Sequence, residues 1–94
     1  MEQNRYKLAA LKFMLHRLYR YCHKTDKSEF KQEVYCRYTG KLEGFLYALR
    51  VDNIIEDDFI DAPELIAQPT FNASWEFLRN SIGINIDAVK EQPK

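Results

Sequence analysis

The stretch Phe30–Arg50 reads FKQEVYCRYTGKLEGFLYALR. At about 100° per residue, Phe30, Val34, Tyr35, Tyr38, Leu42, Phe45, Leu46 and Leu49 gather on one side of a helical wheel. The pattern predicts one helix with a wide core face, and the rest of the chain is expected to be arranged around it. A second row holds Cys36, Gly40, Gly44 and Ala48, a small residue at every fourth position. Cys36, Gly40 and Gly44 point away from the apolar arc. A glycine inside a helix costs roughly 1 kcal/mol relative to alanine, so something should offset two of them. Close approach of another backbone is the simplest candidate. Arg37, Lys41, Glu43 and Arg50 exclude a bilayer as the setting of this small-xxx-small row. Two expectations remain: a seam for the third or fourth helix of the same chain, which is the simpler, or a surface for a second molecule. In the second case Cys36, Gly40, Gly44 and Tyr47 are the candidate partner-binding residues.

Upstream, Leu8, Leu11, Leu15, Leu18 and Cys22 alternate spacings of three and four, a clean amphipathic stripe. Ala10, Met14 and Tyr21 widen it on one side and Tyr19 on the other. A helix over 4–23 is predicted, with Asn4 as a cap. Lys24–Lys27 is a short polar connection, and Thr25, Asp26 or Ser28 can cap a helix over 28–51. So short a loop makes the two helices antiparallel neighbours, with Leu15 and Leu18 near the middle of their contact.

Downstream, Asn53 is the best residue for a left-handed helix end. Ile54 and Ile55 read as a buried corner. A short helix over 56–66 is expected to start at Glu56 or Asp57, its acids matching the helix dipole and Phe59 and Ile60 facing inward. Gln68-Pro69-Thr70 is a break. Thr70 or Asn72 then caps a helix over 71–82 carrying Phe71, Trp75, Phe77, Leu78 and Ile82, closed by Gly83. The tail 84–94 alternates Ile84 and Ile86 as an extended segment. Asp87 can cap a final turn, and Glu91–Lys94 should fray.

These elements make one all-α domain over 1–94, a small compact bundle of about four helices built on an antiparallel two-helix hairpin. The expected core is Leu8, Leu11, Leu15, Leu18, Cys22, Val34, Tyr38, Leu42, Phe45, Leu49, Ile55, Phe59, Trp75 and Leu78. A length of 94 residues and an apolar fraction of 46% suit a single modest core. No apolar run approaches the roughly 20 residues that cross a bilayer. The first apolar stretch is broken by Lys12, His16 and Arg17, unlike a signal peptide. With only Cys22 and Cys36 as thiols, a reduced, cytoplasmic setting is expected.

The net charge of zero hides a split. Residues 1–41 carry ten Lys/Arg and four Asp/Glu, giving +6; residues 42–94 carry four and ten, giving −6. The simplest expectation is that the two halves attract each other within the fold. The alternative is a nucleic-acid surface on the basic face of the first helix, made by Arg5, Lys12, His16, Arg17, Arg20 and Lys24, with Tyr6 and Phe13 able to stack on bases. No helix-turn-helix, zinc-finger, RRM or KH signature accompanies it.

Other chemistry finds little support. His16 and His23 lie seven apart, roughly 10 Å along a helix, too far to share a metal. Cys22, His23 and Cys36 lack zinc-site spacing, and Cys22 on the leucine stripe reads as core. The acids from Asp52 to Glu64 do not fit an EF-hand loop and read as a dipole-matched helix start. No nucleophile with its base, phosphate loop or paired apolar carboxylates is present, so neither an enzyme nor a cofactor, metal or small-molecule substrate is expected.

The run Tyr38–Ile55, YTGKLEGFLYALRVDNII, followed by acids, resembles a helix–corner–helix of small bacterial, phage and plasmid proteins. The resemblance covers about a fifth of the chain. It implies an accessory, regulatory or inhibitor protein of a bacterium or mobile element whose work is binding. The leading expectation is therefore a non-enzymatic protein-interaction module, with a homodimer through the Gly40/Gly44 face as one form of it. Nucleic-acid binding through the first helix is the alternative.

Overall fold

A computed structural model describes residues 2–85. They form α1 (Glu2–Lys24), α2 (Gln32–Val51), α3 (Ala62–Ile66) and α4 (Phe71–Ile82). Among the described residues there is no strand, and Ile55 and Ile84 meet in an isolated antiparallel bridge. The all-α expectation holds, and α1 and α2 form the predicted hairpin. The expectations for Ile86, Asp87 and Glu91–Lys94 lie outside the described residues.

The central helix is α1 rather than α2. It packs on α2 along one side and on α3 and α4 along the other. The width of its apolar stripe explains this. Tyr21 meets the rings of Phe30 and Tyr38 on the α2 side, at 5.1 and 5.5 Å. Tyr19 meets Phe71 of α4 on the other, at 6.1 Å. Between them Leu11, Leu15 and Leu18 are completely buried against Leu42, Leu46, Leu49, Leu65, Leu78 and Ile82. Each fully buried leucine of this set contributes about 1.5–3 kcal/mol.

The helix ends follow local chemistry. α2 begins at Gln32, four residues later than the sequence suggests. The backbone carbonyl of Asp26 accepts from the N–H groups of Glu29 and Phe30, closing a separate turn. The Tyr21 hydroxyl then accepts from the Lys31 N–H at 2.8 Å. That bond holds Lys31 extended and leaves α2 without a side-chain cap. Thr25, Asp26 and Ser28 therefore do not cap it, and Phe30 packs on Tyr21 ahead of the helix. At the other end Asn53 adopts the expected left-handed conformation (φ 62°).

Residues 56–61 are not helical. The Asp57 carboxylate accepts from the Phe59 N–H at 2.9 Å, a local turn that competes with helix. α3 starts only where Asp61 can cap it, with Pro63 in its first turn. This reverses Phe59, which is 68% exposed instead of buried, while Ile60 and Leu65 turn inward. Thr70 caps α4 and Gly83 ends it, as predicted. The Ser74 hydroxyl, wholly buried, donates to the Leu65 carbonyl at 2.9 Å and ties α4 to α3. Leu8, Cys22, Val34, Tyr38, Phe45 and Trp75 of the expected core lie at its half-buried edge. Leu46, Ile54, Ile60, Leu65 and Ile82 complete the interior.

Candidate functional site

Because α2 packs on α1 alone among the helices that flank it closely, its far side faces outward. Cys36, Gly40, Gly44, Tyr47 and Ala48 are all exposed. A Cβ placed on Gly40 or Gly44 would meet nothing within 4 Å. This overturns the expectation of a seam with α3 or α4, since neither of those helices approaches the glycine row. The glycine row is a shallow furrow open to solvent, flanked by two apolar side chains, Tyr47 and Val51, at 56% and 58% exposure. The Tyr47 ring is held in place: the Arg50 guanidinium lies 5.6 Å from its centroid and is fixed by Asp58 at 3.2 Å. The four residues predicted as partner-binding therefore lie together on one surface.

The basic face of α1 is divided by the fold. On the α4 side, Lys12 lies 5.8 Å from the Trp75 ring. His16 is half-buried with its ring edge-on to Phe71 at 4.8 Å. Arg5 is exposed near the start of the helix. Arg17, Arg20 and Lys24 instead share an open cleft with Tyr21, Thr25 and Tyr38, with a volume of about 380 Å³. The guanidinium of Arg17 lies 5.3 Å from the Tyr38 ring and 5.9 Å from that of Phe13. It also reaches the Tyr38 hydroxyl at 3.4 Å. Sequence periodicity placed Tyr38 in the core and missed its place in this cleft wall, which depends on how α2 crosses α1.

Metal and acid chemistry find no assembled site among the described residues, where no group of three His, Cys, Asp or Glu could hold a metal. His23 stacks on Tyr19 at 4.1 Å, and its Nε2 lies 2.7 Å from the Ile66 carbonyl, which can only accept, so that nitrogen carries the proton. This draws His23 toward α3 and away from Cys36 on α2. Burial pushes the Cys22 thiol up, and the Tyr35 phenol is pushed up first by burial and then by neighbouring Cys22. A second hollow of about 220 Å³ lies between residues 57–61 and α4, lined by Asp57, Asp61 and Glu64 with Ile60, Phe77 and Leu78. Its Asp57 and Asp61 carboxylates already accept backbone N–H groups of Phe59 and Glu64. They serve as turn and cap.

No described helix is long and apolar enough to cross a membrane. The chain matches no family model, no curated protein and no solved structure.

Proposed function

We propose that this chain is a non-enzymatic protein-interaction module, a small accessory, regulatory or inhibitor protein of a bacterium or mobile element that works by presenting the outer face of α2. A second copy of the chain is the partner this face fits best. The observation that supports the reading is the furrow over Gly40 and Gly44, open beyond 4 Å and bordered by the exposed Tyr47 and Val51. Glycines in mid-helix weaken the folded monomer, and among the described residues nothing approaches them in return. A two-fold pairing needs a surface that complements itself. With two α2 helices antiparallel, Tyr47 of each stands opposite Gly40 of the other, so a ring fills a furrow twice. Lys41, Glu43 and Arg37 beside the row supply a polar rim.

The test is native mass determination and light scattering over a concentration series. The wild-type chain is expected to dimerise. Gly40→Leu and Gly44→Leu are expected to abolish the dimer while retaining the helical circular dichroism of the parent, and Tyr47→Ala to weaken it. A wild-type chain that stays monomeric throughout, or leucine variants that dimerise as the parent does, would reject this pairing.

A further inference from the structure

The cleft between the end of α1 and the first half of α2 carries a second surface, separate from the outer α2 face. Arg17, Arg20 and Lys24 follow one another at single-turn spacing on α1, and none forms an ion pair with a described carboxylate. No acidic side chain is among the described residues that line the cleft. Three cations sharing an open hollow repel one another, and an anionic occupant relieves that repulsion. The aromatic side chains narrow down which anion. Tyr6 and Phe13 occupy the same exposed strip of α1 about two turns apart, at 72% and 61% exposure. Phe13 is followed at the next turn by Arg17, whose guanidinium lies between the Phe13 and Tyr38 rings. The strip thus runs ring, ring, cation, cation, cation, with Tyr38 beside its first cation.

An acidic peptide would satisfy the cations and leave the ring faces in water. A duplex would offer phosphates, but its base faces are stacked away from Phe13 and Tyr6. A single strand presents both groups at once, a chain of phosphates and bases whose flat faces are free to stack. We infer that the Arg17–Arg20–Lys24 cleft, extended by Phe13 and Tyr6, binds single-stranded nucleic acid, the cations holding the phosphates and the exposed rings stacking bases. Lys12 and His16 lie outside this cleft, on the side of α1 that meets Trp75 and Phe71 of α4.

The experiment is a fluorescence-anisotropy titration of the full chain against labelled oligothymidylate, a duplex of equal length and a polyglutamate peptide, repeated at several salt concentrations. Oligothymidylate is expected to bind best, with a log–log salt slope of about −2 for three phosphate contacts. Arg20→Gln and Lys24→Gln should each reduce the steepness of that slope by about 0.7. Phe13→Ala should weaken binding roughly 5-fold or more with the slope unchanged, and Phe13→Trp should restore it. All these side chains are exposed, and circular dichroism verifies that each variant is folded. No binding of oligothymidylate, equal or tighter binding of the duplex or of polyglutamate, or cleft variants that bind as the parent does would each overturn the inference. None of these outcomes depends on whether α2 pairs two copies.

Discussion

Gly83 shows how much one residue can carry. It ends α4 with φ at 63°, and a Cβ there would sit in ordinary contact with the Cβ, Cγ and Cδ of Glu56 at 3.4–3.5 Å. An L-residue in this conformation costs about 1–2 kcal/mol before any contact is counted. Gly83→Ala should therefore lower the urea midpoint by a loss of about 1–2 kcal/mol with an unchanged m-value, measured by equilibrium unfolding. Gly83, Asn53, Thr70 and the pattern-forming leucines were all legible in the sequence, because cap chemistry and helix period are local. Phe59 was not. Its outward turn depends on the Asp57 carboxylate capturing the Phe59 N–H, a choice between two local structures that the acids serve equally well. Tyr21 was read as part of a stripe, whereas its hydroxyl fixes Lys31 ten residues away and delays the next helix.

Among the elements, α1, α2 and α4 could be read because each is long enough for its apolar face to repeat. The five-residue α3 is too short to repeat, and capping decides its place. The candidate site was half legible. Helix period set the glycine row off the core face of α2, but only the crossing of α1 decides whether another helix covers that row. The same geometry makes α2 a test of its own outer face. With open space around both glycines, Gly40→Ala and Gly44→Ala should each stabilise the monomer by about 1 kcal/mol, since alanine is the better helix former and meets no neighbour. Thermal unfolding of dilute protein measures this. A rise in stability accompanied by weaker self-association would separate what these positions do for the helix from what they do for pairing.

Across the described residues, the charge split is only partly consumed inside the fold. Lys7 and Asp52 pair across the two halves at 3.1 Å, with both side chains substantially exposed, an arrangement worth at most about 1 kcal/mol. Arg50–Asp58 and Arg79–Glu76 lie within the acidic half. The expectation that the halves attract each other is met at that Lys7–Asp52 contact, while the cations of the α1 cleft stay turned to solvent. Connectivity adds a different consequence, drawn from the meeting of Ile55 with Ile84. The Ile54 carbonyl accepts from Asn85, and the Glu56 and Asp57 N–H groups donate to Ile82, with Glu56 also reaching Gly83. The segment that holds α3 and α4 is thereby closed into a ring at its own base, while the α1–α2 hairpin is closed by its turn. The α1–α2 hairpin and the stitched α3–α4 segment that packs on α1 can open one at a time. Hydrogen exchange should show the amides of Glu56, Asp57 and Asn85 opening with one common free energy, lower than that of the Leu42–Leu49 amides. In kinetic terms the chain would then be two loops zipped onto one spindle, and opening of the second would leave the α1–α2 hairpin folded.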